Sequence, residues 1–213
     1  MRILAFGASS SSQSINRQFA NHVADRIPDA KVTDLDLRDF NLPIFSADEE
    51  EANGIPDDAK RFLELIRSHD ALVVSLAEHN GSYTAAFKNL YDWASRAEYE
   101  VWGDKPMLLL STSPGARGGA SVMEAAKATF PRMGAQLKGS FSLPSFYDNF
   151  SPESGVTDEQ LAAGLHEALA TFGADCAPAP CSRPQLLTNA SLVPEASALS
   201  RNQCADTGMK TEE

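Results

Sequence analysis

No stretch of this sequence offers the roughly 20 consecutive apolar residues that a membrane-spanning helix needs, so a helical transmembrane span is not expected. Thiols are scarce and misplaced for chemistry: the three cysteines, Cys176, Cys181 and Cys204, all lie in the last part of the chain. Everything before them lacks a thiol for a disulfide, a metal site or a nucleophile. Four residues separate the nearer two, with no second Cys or His pair beside them, so zinc is not expected either. Positive charge is also short. Against 29 acidic residues stand 18 Lys and Arg, a formal net charge of -11, which repels phosphate backbones and anionic lipid surfaces. Nucleic acid and membrane are therefore not expected partners. No GxGxxG follows the first strand-like run and no GxxxxGK[ST] occurs, so the dinucleotide fingerprint and the Walker loop are both missing. Met1-Arg2 leads directly into a strand-like run without a signal-peptide pattern, and the expected location is cytoplasmic.

What the 213 residues do contain is one repeating pattern, enough for a single sizeable core. Ile3 to Phe6 reads as a strand. A small polar run then leads to a helix starting after Ser14, a good N-cap, with Ile15, Phe19, Ala20, Val23 and Ile27 at helical spacing. Val32 to Leu37 reads as a second strand, Asp48 to Glu51 as a solvated acidic loop, and a helix opens near Asp57 with Ala59, Phe62, Leu63 and Ile66 on one face. Ala71 to Leu76 is a continuous apolar run that suits a central parallel strand. After a loop through Glu78 to Ser82 comes a helix carrying Phe87, Leu90, Tyr91 and Ala94, then a strand from Met107 to Ser111. A glycine-rich loop leads to a helix with Val122, Ala125, Ala126, Thr129 and Met133. Leu137 to Leu143 reads as a fifth strand, and a last helix begins at a capping box formed by Thr157 and Gln160.

Five strands alternating with helices predict a three-layer α/β fold around a parallel sheet. The expected domain spans residues 1–173. From Ala174 to Glu213 the periodicity fails and Pro, Ser and Asn are scattered, which reads as a flexible tail.

In such a sheet, ligands bind outside the carboxyl ends of the strands, where strand order reverses. Three strand-to-helix loops are rich in small and hydrogen-bonding residues: Ser9 to Asn16, Glu78 to Ser82, and Ser113 to Gly119. The first combines hydroxyls with the amides of a helix N-terminus, an anion site that needs no positive side chain. The same serines would equally serve to cap the helix and solvate a turn. In the third, Gly115, Gly118 and Gly119 would let the backbone approach a flat ligand closely, although taken alone such a glycine loop reads first as a plain tight turn.

With these residues in place, the chain from Arg2 to about Phe172 resembles the NAD(P)H-dependent FMN reductases, the flavodoxin-like quinone, azo and chromate reductases. Ala8-Ser9 through Ser14-Ile15-Asn16 is similar to that family's phosphate loop. Glu78-His79-Asn80-Gly81-Ser82 through Phe87-Lys88-Asn89 to Asp92-Trp93 is similar to its second flavin loop and helix, and Ser111 through Gly119 to its third. The resemblance implies a flavodoxin-like sheet of order 2-1-3-4-5, bound FMN, and NAD(P)H as reducing substrate. It also implies a small-molecule acceptor (quinone, azo compound, chromate or free flavin) served by a ping-pong mechanism, and a homodimer or homotetramer. Carried over by position, it puts Ser9, Ser11, Ser14, Ile15 and Asn16 at the FMN phosphate. Ala77, Glu78, His79, Asn80 and Gly81 fall along the ribityl chain and ring edge, and Ser113, Pro114, Gly115, Gly118 and Gly119 against the pyrimidine side.

No side chain is expected to be catalytic, because the flavin N5 carries the hydride chemistry, and no metal is expected. Two departures stand out: many members carry Arg where this chain has Ser11, and Pro and Tyr where it has Ala77 and His79. Losing the Arg removes a bidentate charge-assisted contact, and Arg17 is expected to point along its helix rather than replace it. Glu78 is expected to position rather than to act as a base. Tyr91 and Trp93 read as core or subunit packing, and His22, His69 and His166 as surface residues on helices. Two rival readings are a non-enzymatic FMN electron carrier of the flavodoxin type and a flavin-free scaffold that kept only the fold.

Overall fold

The computed structural model describes residues 1–176. Its first strand, β1 (Arg2–Ala8), sends Ile3 and Ala5 into one core cluster and Leu4, Phe6 and Ala8 into another. A strand apolar on both faces belongs in the middle of a covered sheet. Helix α1 (Ile15–Ala24) starts at Ser14, whose hydroxyl accepts the Arg17 amide at 3.2 Å. It lies so close to β1 that a Cβ on Gly7 would stand 2.2 Å from the Arg17 nitrogen, a distance only glycine permits.

The second strand is shorter than the sequence suggests. β2 covers Lys31–Asp34, not Val32 to Leu37. The chain leaves the ladder because its acids are engaged sideways: Arg17 donates to Asp34 at 2.9 and 2.7 Å and also to Asp36. Asp36 in turn accepts the Arg38 amide at 2.9 Å and caps a 3₁₀ turn at Leu37–Asp39. The acidic stretch expected as a loop is a helix, α2 (Ala47–Asn53). Ser46 caps it by accepting the Glu49 amide at 3.0 Å, and the acids of its first turn complement the helix dipole.

Helix α3 (Asp57–Ser68) buries Ala59, Phe62, Leu63 and Ile66, and β3 (Ala71–Leu76) is buried throughout. The residues after it, expected as a loop, form a hairpin of β4 (Glu78–His79) and β5 (Ser82–Tyr83). Its turn residues Asn80 and Gly81 have φ of 53° and 77°, the left-handed pair that makes Asn-Gly the preferred two-residue hairpin turn. Helix α4 (Ala85–Ala97) buries Phe87, Leu90, Tyr91, Trp93 and Ala94. Tyr91 and Trp93 thus take the core side of the two expectations. Strand β6 (Lys105–Thr112) is followed by α5 (Ala120–Thr129), which stops before Met133. A 3₁₀ turn at Phe130–Met133 replaces its last part, because Pro131 lacks the amide that an α-helix needs there.

Strand β7 (Ala135–Leu143), the short helix α6 (Phe146–Asn149), a hairpin of β8 (Phe150–Ser151) and β9 (Gly155–Val156), and α7 (Glu159–Cys176) complete the described chain. The cap of α7 is Asp158, accepting the Gln160 and Leu161 amides at 3.0 and 2.9 Å, rather than the Thr157–Gln160 box. The helix runs past Gly173 to Cys176, and the rest of the expected tail, 177–213, lies outside the described residues. His69 also departs from expectation: it ends α3 buried, bonded through Nδ1 to the Leu65 carbonyl at 2.7 Å and through Nε2 to the Thr33 hydroxyl at 2.8 Å.

The five long strands form one parallel sheet in the order β2-β1-β3-β6-β7, the 2-1-3-4-5 arrangement expected for a flavodoxin-like fold. Helices α1 and α7 pack with one core cluster, and α3, α4 and α5 with the other. Strand order reverses between β1 and β3, so the carboxyl ends of β1, β3 and β6 open side by side at the switch point.

The Arg17–Asp34–Asp36–Arg38 cluster makes acid stability testable. The Asp36 carboxyl, 11% exposed, is held down at about 2, first by its hydrogen bonds from Arg38. Its folded pKa lies below the unfolded value, so its contribution is complete above pH 4 or so and disappears as pH falls through about 2. Asp36→Asn is expected to lower neutral-pH stability by about 1–2 kcal/mol, allowing for solvent screening. It should also flatten the acid limb of a Tm-against-pH curve between pH 4 and pH 2 or so.

Candidate functional site

Beyond β1 the chain turns on its own backbone and serine hydroxyls. The Ser9 amide donates to the Gly7 carbonyl at 2.8 Å, the Ser11 amide to the Ser9 hydroxyl at 3.2 Å, and the Ser14 amide to the Ser11 carbonyl at 3.2 Å. The first bond inside α1 runs from the Gln18 amide to the Ser14 carbonyl at 3.1 Å. The amides of Ile15 and Asn16 stand ahead of it, at the positive end of the helix dipole.

Asn16, 2% exposed, joins this loop to the two neighbouring strands. Its Oδ1 accepts from the Ser75 hydroxyl at 2.7 Å and from the Thr112 amide at 3.1 Å, while its Nδ2 donates to the Thr112 carbonyl at 3.1 Å. One carboxamide therefore ties the first turn of α1 to the ends of β3 and β6. These bonds use three of its four hydrogen-bonding capacities and leave a single Nδ2–H outside the bracket.

The second loop is fastened at both ends. Thr84 Oγ1 donates to the Ala8 carbonyl at 2.9 Å, and the Glu78 carboxylate accepts the Val122 amide at 3.0 Å, at the N-terminus of α5. Glu78 thus braces the second loop against α5. In the third loop the Ser111 hydroxyl donates to the Gly118 carbonyl at 2.8 Å. Gly118 has a φ of 58°, and a Cβ there would lie 2.6 Å from the Ser142 hydroxyl. A fourth segment, between β7 and α6, is laced to the third loop: the Ser145 amide donates to the Gly115 carbonyl at 2.9 Å and the Phe146 amide to the Ser113 carbonyl at 3.0 Å.

Between these segments lies a cleft of about 280 Å³. Of the residues singled out from sequence, Ser9, Ser11, Ser14, Ile15, Asn16, Ala77, Glu78, His79, Ser113 and Pro114 line it. Asn80 and Gly81 sit at the exposed hairpin tip. Gly115 receives the Ser145 amide, and Gly118 and Gly119 are buried under the third loop. These five shape the walls without lining the cavity. Three lining residues escaped the sequence reading: Gln13, Thr112 and Tyr147. Gln13 and Thr112 lie inside or beside runs already noted. Tyr147 comes from the segment after β7, where no spacing or motif marks it.

The floor is made of buried Ser14, Asn16, Ala77 and Thr112, and the rim of exposed Ser11, Gln13, His79, Pro114 and Tyr147. Glu78 is the carboxylate in the lining, which includes no Lys or Arg. Arg17 is held outside by Asp34 and Asp36, reaching across to the β2 edge rather than along its helix, and Arg117 donates to the Ser121 hydroxyl at 2.9 Å. Among the described residues no cluster of three or more His, Cys, Asp or Glu could hold a metal ion, and no helix is long and apolar enough to cross a membrane. The cleft offers amides, hydroxyls and carboxamides to an anion, and an open side to a flat ligand.

The chain as a whole is similar to known proteins. The sequence model of the NADPH-dependent FMN reductases matches residues 1–148. An NADPH:quinone oxidoreductase of Arabidopsis thaliana is 29% identical over 153 residues, covering 70% of this chain and 76% of the relative. A 2-hydroxy-1,4-benzoquinone reductase of a Burkholderia species is 36% identical over 109 residues, covering 50% and 57% respectively. Among solved structures, the FerB flavoenzyme NAD(P)H:(acceptor) oxidoreductase of Paracoccus denitrificans superposes with a TM-score of 0.63 at 25% identity, over 82% of this chain and 96% of that one.

The Asn16 bracket yields a direct test. Asn16→Ala strands the Ser75 hydroxyl and both Thr112 backbone groups in a buried site, where each unpaired group costs on the order of 1–3 kcal/mol. Partial relaxation leaves an expected loss of about 3 kcal/mol. Urea denaturation of the cofactor-free protein measures it, and Asn16→Asp, which keeps the acceptor but not the Nδ2 donor, is expected to recover only part.

Proposed function

The chain belongs to the NADPH-dependent FMN reductase family, and from that premise we propose that it reduces small acceptors of the quinone class, with donor and acceptor taking turns at the cleft described above. It is an oxidoreductase with FMN as cofactor and NAD(P)H as electron donor. The observation that carries the proposal is the convergence of three strand-to-helix loops and the α1 N-terminus on one open cleft at the strand-order switch point.

The residues present fit the cofactor. An anion finds the α1 dipole, the Ile15 and Asn16 amides and the hydroxyls of Ser9, Ser11 and Ser14. A flat ring system finds Ala77, Glu78 and His79 on one side and Ser113 and Pro114 on the other, with Asn80, Gly81, Gly115, Gly118 and Gly119 setting the shape of those loops. Bound there, FMN supplies the two-electron redox chemistry. The protein's part is to hold and orient: Asn16 keeps the floor in register, Glu78 fixes the second loop against α5, and backbone dipoles stabilise negative charge at the site. In this reading no side chain donates or removes a proton as a catalyst. Cytoplasmic location and assembly as a homodimer or homotetramer belong to the same proposal.

A visible spectrum of the purified protein, before and after anaerobic NAD(P)H, tests it. Flavin absorbance that bleaches on adding the nicotinamide is expected. Flavin that stays oxidised would favour the electron-carrier alternative, and colourless protein that takes up no added FMN would overturn the site assignment. Because the phosphate contacts lack a cation, Ser11→Arg is expected to tighten FMN binding by about tenfold, measured by titrating the cofactor-free protein.

A further inference from the structure

Tyr147 differs from every other residue of the cleft. It is 71% exposed, one of few large apolar side chains so open to solvent among the described residues, and of those it is the one that lines the cleft. Its base is nonetheless rigid. Ser145 and Phe146 donate their amides to the third loop, the Asn149 side chain donates to the Pro144 carbonyl at 3.0 Å, and Phe146, 4% exposed, stacks on Phe150 at 4.7 Å between centroids. Ser145 itself holds the left-handed conformation at a φ of 44°, a backbone state that a non-glycine residue adopts only when its surroundings impose it.

A phenol mounted on a fixed turn has two side-chain torsions to lose on binding, so it offers a large flat contact at low entropic cost. The surrounding structure spends buried contacts and a strained residue on this presentation. The phenol stands at the exposed rim of the cleft, so a second flat molecule entering from solvent, over a ring held between the second and third loops, meets Tyr147. A dinucleotide donor has many other groups through which to bind. A compact acceptor does not, and depends more heavily on one aromatic contact.

We propose that Tyr147 selects planar aromatic acceptors, its ring stacking on a quinone-type molecule at the open side of the cleft. This rests on the functional reading above and adds to it a specificity residue from α6. The contact forms on binding and involves no bond change.

The test uses the full-length, FMN-loaded protein in its oxidised state, without nicotinamide, so that no turnover occurs. Calorimetric titration with 1,4-naphthoquinone is expected to give a Kd roughly two- to tenfold weaker in Tyr147→Ala than in the parent, the range set by aromatic stacking. Tyr147→Phe should restore parental binding, and the flavin absorbance per protein should be the same in all three. Equal naphthoquinone affinity in parent and Tyr147→Ala, or a parent that does not bind it, would overturn the inference alone. So would loss of FMN from Tyr147→Ala, which would make the phenol part of the cofactor's own cradle, and so would a Phe variant as weak as the Ala variant. A parent protein that holds no FMN would overturn the functional reading and the inference together.

Discussion

The carboxamide of Asn16 is the constraint on which the candidate site depends. Strands β1, β3 and β6 are held in parallel register by their own ladders, but those ladders end where the loops begin. Beyond that point Asn16 takes over, with the Ser75 hydroxyl and the Thr112 amide on its oxygen and the Thr112 carbonyl on its nitrogen. In a buried setting such a network is strong because any member left unpaired carries a desolvation cost. The cleft floor is therefore organised before any ligand arrives, and a ligand spends little binding energy on ordering it.

The electrostatics of the cleft follow from where the cations are sequestered. Arg17 begins in the first turn of α1, close in sequence to the serine loop, yet Asp34 and Asp36 draw it to the far side, where it joins the helix to the edge of the sheet. Those acidic neighbours push the Arg17 pKa up, the hydrogen bond with Asp34 foremost, so this charge is committed to architecture. What remains for an anion is a helix dipole and a row of hydroxyls. In a chain with net charge -11, this makes anion recognition directional and short-ranged, dependent on contact more than on long-range attraction.

The loops of the cleft are braced by their neighbours as well as by their own bonds. Thr84 secures the second loop to the end of β1, Glu78 joins it to α5, and the third loop carries the turn that presents Tyr147. In the third loop Gly118 makes room for this bracing, since it packs directly on Ser142 and the chain after it. The result is a rigid floor with a rim open to solvent, a shape suited to holding one flat molecule while admitting another.

The five strands and the three small-residue loops were legible in the amino-acid pattern, because apolar runs such as Ala71 to Leu76 and helical spacings such as Phe62, Leu63 and Ile66 are local consequences of burial, whereas the order of the strands was implied only by the family resemblance. The Asn-Gly turn and the Ser46 cap were also written locally, but as single residues among polar neighbours whose weight shows only once the flanking chain is placed. Other features had no local sign at all. That β2 stops at Asp34, that His69 is buried against Thr33, that Asn16 turns inward to brace the floor, and that Tyr147 reaches the cleft from α6 each depend on a partner distant in the sequence, the nearest of them 17 residues away. Side-chain periodicity reports which face of an element is dry. Which groups meet across elements is decided by sheet order and strand register, and those exist only in the folded chain.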